Sequence, residues 1–169
     1  MPEAIKAYVR WVDRANRYLG LFAVYLLVAM FGILLYSTIA KNFFHPSLWS
    51  VELAQFVMVA YYLLGGGYTL QTDDHVRMDL LYAKWSVRKR GKVDVWTDLV
   101  LIFFLFVLLL GGISSTHYAI VTNEHSYSAW RPWMVPVKVV MTFGVFMTLL
   151  QAIAIFFKDL AIARGKPIT

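Results

Sequence analysis

LLGGGYTLQTDDHVRMD, residues 63–79, joins an uninterrupted apolar segment to a dense cluster of charge. Upstream, the 20 positions from Leu53 to Thr72 carry no charged side chain. At about 1.5 Å of rise per residue they span about 30 Å, the thickness of a bilayer's hydrocarbon core. Downstream, Asp73, Asp74, His75, Arg77 and Asp79 fall within seven positions. Soluble cores alternate polar and apolar residues with a period of about 3.6 or 2, whereas here the two kinds are segregated into blocks. The break marks the edge of a membrane. Composition agrees: 60% hydrophobic, 15% charged and a mean hydropathy of +0.61 lie outside the range of soluble domains.

Three more spans follow by the same reading. Tyr18 to Ala40 gives 23 uncharged residues ending at Lys41, and Asn42, His45, Pro46 and Ser47 then supply a hairpin loop, because proline stops a helix. Trp49 and Ser50 open span two, with Ser50 expected as its N-cap and Glu52 in the first turn, where the helix dipole favours a carboxylate. Glu52 has a second reading, as a boundary charge that contacts another subunit. Spans three and four are expected over about 99–123 and 133–157, giving one four-span domain over 1–169. Gly65, Gly66 and Gly67 in span two, and Gly111 and Gly112 in span three, would each be costly in a soluble helix. In lipid they allow a second helix to approach closely, against this chain or another.

Two flanks are amphipathic. In residues 3–17, Ile5, Tyr8, Val9 and Val12 recur at helical spacing opposite Lys6, Arg10, Arg14 and Arg17, so a helix here is expected in the headgroup layer with Trp11 at that depth. The spread of charge and the absence of a small-residue cleavage pattern argue against a signal peptide. Over 78–91, Met78, Leu81, Tyr82 and Trp85 repeat opposite Lys84 and Arg88, predicting a second interfacial helix. Trp130 and Trp133, in the aromatic-rich loop before span four, sit where an interfacial belt belongs. Four spans place both termini and the 73–98 loop on one side with 13 of the 16 Lys and Arg residues, leaving Lys41, Arg131 and Lys138 on the other. The positive-inside rule then predicts cytoplasmic termini. The net charge of +6 therefore serves anionic headgroups, and no nucleic-acid partner is expected.

Chemistry-bearing groups are scarce at depth. With no cysteine, disulfides and thiolate metal sites are excluded. A four-helix haem protein holds iron between histidines on facing helices, but of His45, His75, His117 and His125 only His117 lies within a span. Lys138, one turn inside span four, either snorkels to the headgroups or pairs with another chain. No phosphate loop or nucleophile elbow is present, so neither an enzyme nor a cofactor site is expected. The remaining readings are a supporting subunit and a haem-anchoring or redox-complex subunit.

The four spans, the Trp49-x-x-Glu52 opening of span two, the glycine-rich run into His75-Val76-Arg77-Met78-Asp79, and the proline-containing loop before span four together resemble the small membrane subunit of tripartite ATP-independent periplasmic (TRAP) transporters, the Q-type or DctQ-like subunit. The resemblance covers the whole chain. It implies an all-α, N-in/C-in protein of a bacterial inner membrane that takes part in uptake of an organic anion. A soluble periplasmic binding protein would deliver the anion to a large multi-span subunit, which would move it by a sodium-driven elevator motion with sodium bound at that subunit. This chain would be the fixed scaffold. Trp49, Glu52, Gly65, Gly66, Gly67 and Lys138 would contact the large subunit, and His75, Arg77 and Asp79 would order the cytoplasmic turn, by partner contact or by local capping. Trp11, Arg14, Arg17, Trp85, Arg88, Trp130 and Trp133 would anchor it in the interface.

Overall fold

The structure is a computed structural model that describes residues 3–45, 47–72 and 87–163, with side chains described from 93 onward in the third helix and up to 161 in the fourth. Four long helices carry the apolar segments: α1 (Glu3–Phe43), α2 (Ser50–Gln71), α3 (Val87–Val121) and α4 (Val135–Ala163). Each is long and apolar enough to cross a membrane.

The helices stand in a row rather than a closed ring. α1 packs on α2, α2 on α4 and α4 on α3, with a smaller contact between α1 and α4. The order in space is thus α1, α2, α4, α3, and α4 is the hub: a third of its apolar stretch is buried, against 11% for α1 and α3. Bulky side chains such as Phe22, Tyr25 and Phe31 on α1 and Phe103 and Phe104 on α3 stay exposed. An outward surface this apolar is stable only in lipid or under a partner.

The segment 3–17 is helical, as its spacing predicts, but no break separates it from span one. At 41 residues α1 is about 60 Å long, twice the hydrocarbon core. Its apolar stripe is not spent on headgroups. Val9 and Val12 pack with Ile5 and Tyr8 against Ala154 and Leu150 of α4. Tyr8 Oη donates to Leu150 O at 3.0 Å, while Asn16 Nδ2 donates to the adjacent Gln151 Oε1 at 3.0 Å. Two residues eight apart on α1 meeting neighbours on α4 means that the arm crosses α4 obliquely. Lys6, Arg10, Arg14 and Arg17 all face away from that contact, exposed with Trp11.

Ser50 is not the N-cap of α2. That position is Trp49, which makes no side-chain cap bond. Ser50 is instead fully buried one position later, where Ser47 Oγ donates to its hydroxyl at 2.6 Å and it donates to Ser37 Oγ of α1 at 3.0 Å. In an apolar setting, closing the hairpin with hydroxyls satisfies more polar atoms than one cap would. The last five positions of the expected 78–91 helix form the start of α3, and the rest of that segment lies outside the described residues.

The two glycines of α3 differ. A Cβ at Gly111 meets nothing within 4 Å, whereas one at Gly112 lies 3.1 Å from Thr142 Oγ1 of α4. Gly111→Ala is expected to raise stability by about 0.5–1 kcal/mol through helix propensity alone, and Gly112→Ala to give no gain. Thermal midpoints of the two detergent-purified variants check this, and equal shifts would contradict the packing.

Candidate functional site

Expected contact residues fall in three places: the turn of the α1–α2 hairpin, the junction of α1, α2 and α4, and the loop between α3 and α4. At the hairpin, Trp49 stacks on Tyr36 with ring centroids 5.5 Å apart and stays 37% exposed. Glu52 sits half-buried in the first turn of α2, and its Oε2 is enclosed without a hydrogen-bond donor among the described residues.

At the junction of α1, α2 and α4 the glycines pack within this chain, one of the two partners that the sequence leaves open. Gly67 is buried, and a Cβ there would overlap Asn16 Oδ1 of α1; one at Gly66 would lie 3.3 Å from Thr148 Oγ1 of α4; Gly65 is half-buried beside Ala23. The glycine run lets α2 settle between α1 and α4, because only a hydrogen leaves room at 67. What fills the junction was not read from the sequence: a buried polar network. Asn16 and Gln151, both fully buried, are joined as above, Gln151 Nε2 donates to Asp13 Oδ1 at 2.8 Å, and Lys158 Nζ pairs with Asp13 Oδ2 at 2.8 Å. Asn16 Oδ1 has no N–H or O–H donor among the described residues, and it lies over Gly67. Asp13 lay within the apolar-patterned arm and Lys158 just past span four, so each was legible as a charge at a membrane edge. Nothing in their separation of 145 positions signalled a pair.

In the loop, the corrected residue is Lys138. It neither snorkels nor reaches for another chain: its Nζ pairs with Glu124 Oε2 of the same chain, both partly shielded. α3 ends in a Schellman arrangement, with Asn123 at φ 49°, Asn123 N donating to Ile120 O and Glu124 N to Ala119 O. That turn aims Glu124 back toward α4. His117 is exposed on α3 near this end. Trp130 and Trp133 are 40% and 50% exposed, consistent with water or headgroup contact. His75, Arg77, Asp79 and Trp85 lie outside the described residues, as does the side chain of Arg88.

The cavities at hydrocarbon depth are apolar. One of about 250 Å³ lies between Leu26, Phe56, Val57 and Val140, and one of about 390 Å³ between α3 and α4 beside Gly111 and Val145. Interior hydroxyls are engaged, with Thr116 and Thr142 Oγ1 2.9 Å apart. Several of the chain's polar groups are thus tied to one another, with Glu52 Oε2 and Asn16 Oδ1 left without a donor among the described residues.

The family model described as "Tripartite ATP-independent periplasmic transporters, DctQ component" matches residues 30–161. The chain belongs to this family. As a DctQ component it is part of a transporter and not an enzyme. A curated relative, the sialic acid TRAP transporter permease protein SiaT of Haemophilus influenzae (strain 86-028NP), is 24% identical over 151 residues, covering 89% of this DctQ-family chain. The chain spans about a quarter of that relative's length. The matched region takes in all of α2 and α3, the C-terminal third of α1 and α4 up to residue 161, so it includes Gln151 and Lys158 but begins after Asn16.

Proposed function

We propose that this chain is the fixed scaffold of a sodium-driven uptake transporter for an organic anion, holding a separate large subunit level in the bilayer while that subunit carries substrate in an elevator motion. Family membership supports a small TRAP subunit, and the row of helices, with no cluster of metal-ligating side chains among the described residues, supports a structural part. Sodium would bind at the large subunit, and a periplasmic binding protein would deliver the anion. Glu52, with an enclosed oxygen lacking a donor, would receive one from the large subunit at the outer end of α2. His75, Arg77 and Asp79 would serve the cytoplasmic turn, and Trp49 the rim of the same contact. The exposed cations of the arm, with Trp11, Trp130 and Trp133, would hold the slab at headgroup depth.

Two experiments test this. Proteoliposomes containing this chain, the large subunit, or both are assayed for sodium-dependent uptake with the binding protein present; uptake is expected only with both. Uptake by the large subunit alone at the full rate, or by this chain alone, would refute the scaffold role. Orientation is tested separately. Because the chain has no cysteine, Tyr127→Cys in the α3–α4 loop and Lys89→Cys in the first turn of α3 report the two ends of α3, and a membrane-impermeant maleimide on intact cells is expected to label only Tyr127→Cys. The reverse pattern would invert the topology.

A further inference from the structure

The loop between α3 and α4 is more tightly built than a connection requires. Beyond the Schellman turn, Ser126 N donates to Pro132 O, Met134 N to Glu124 O and Arg131 N to Ser128 O, His125 and Trp133 form a bridge, and the Glu124–Lys138 pair ties the whole to α4. Arg131 is held at φ 48°, in the left-handed region that an arginine rarely adopts. Such strain persists only where its surroundings over-determine it. The ordered backbone presents one side chain that buries nothing: Tyr127 is 106% exposed. Its backbone borders a hollow of about 320 Å³, lined also by Tyr118, Thr122, Glu124, His125 and Arg131.

A preorganised knob and hole of this kind suits docking. Tyrosine, tryptophan and arginine are the side chains that most often dominate a protein interface, and holding them in place beforehand removes the entropy cost of ordering them. Charge sets the partner's sign. Glu124 is paired with Lys138, which leaves Arg131 as the charge of the hollow without an ion pair among the described residues, so a carboxylate fits there. We infer that this loop is the docking surface for the soluble binding protein of the transporter, with Tyr127 as anchor and the Arg131 hollow receiving an acidic side chain. The inference rests on the transporter reading and on an outward-facing loop, and deepens both by assigning a partner to named residues.

The test uses the assembled membrane complex in nanodiscs, titrated with the purified binding protein. Tyr127→Ser loses no internal contact, and Arg131→Gly keeps the backbone turn, since glycine adopts positive φ without strain. Each is expected to weaken binding about tenfold with complex yield unchanged. Unchanged affinity in both variants would overturn the surface assignment while leaving the scaffold role intact. A loss of complex yield or membrane insertion in place of affinity would also overturn it, showing the loop to be a headgroup anchor. If the unmutated complex binds no binding protein, the transporter reading itself fails. A photo-cross-linking residue placed at 127 in intact cells gives a readout independent of folding: the expected adduct is with the binding protein, and adducts with lipid or the large subunit alone would refute the proposal.

Discussion

Gly144→Leu is expected to cost this chain more stability than any other single substitution among its glycines. Gly144 is buried on α4 where that helix crosses α2, and a Cβ there would lie 2.8 Å from Leu63 Cβ, 2.9 Å from Leu63 C and 3.0 Å from Leu63 O. Two of those atoms are backbone, which cannot rotate away as a side-chain end can. A single added methyl already forces α2 and α4 apart, and overpacking of this sort costs about 1–3 kcal/mol. Leucine, with three more carbons at the same spot, is expected at the upper end or beyond. The control is Gly32→Leu, whose Cβ meets nothing within 4 Å on the outward face of α1. Thermal midpoints in detergent are expected to fall for the first and hold for the second. If both variants melt together, α2 and α4 do not pack as described.

The second large effect is at the polar junction. Asn16→Ala removes the donor to Gln151 Oε1 and empties the space over Gly67. In a soluble core an orphaned buried acceptor costs about 1–3 kcal/mol, while hydrogen bonds between membrane helices average about 0.6 kcal/mol. This junction lies beside the Asp13–Lys158 pair at the end of the spans, so an intermediate loss of about 1–2 kcal/mol is expected. Gln151→Leu leaves Asp13 with Lys158, since the ion pair does not depend on the amide. The double variant Asn16→Ala/Gln151→Leu is then expected to lose less than the two singles summed, because removing both partners strands neither. Strict additivity in that cycle would mean that the two amides do not interact.

Spans were legible because hydrocarbon imposes a length and a composition on any helix that crosses it. The uncharged runs before Lys41 and up to Thr72 both end inside or at the ends of α1 and α2. Partners were not legible, because a glycine or a charge at a membrane edge has the same appearance whether it meets its own chain or another. Gly66 and Gly67 fit either partner in the sequence and pack against α4 and α1 of this chain. Lys138 was weighed between lipid and a second chain and pairs with Glu124, fourteen positions away across a turn whose geometry depends on Asn123 at positive φ. Asp13 and Lys158 went unpaired for a similar reason: their meeting follows from the oblique crossing of α1 over α4, and a crossing angle is set by side-chain packing that hydropathy does not encode. Ser50 shows the limit of local rules, since its spacing fits a cap while its surroundings demand a hydroxyl bridge.

The central claim is that this chain is one part of a larger membrane assembly. The most direct measurement is to purify the tagged chain in mild detergent from cells expressing its neighbouring genes, and to weigh what accompanies it by native mass spectrometry. A multi-span partner at a one-to-one ratio is the expected result. Recovery of the chain alone under conditions that keep it folded, or with a bound haem visible in the Soret region, would contradict the account.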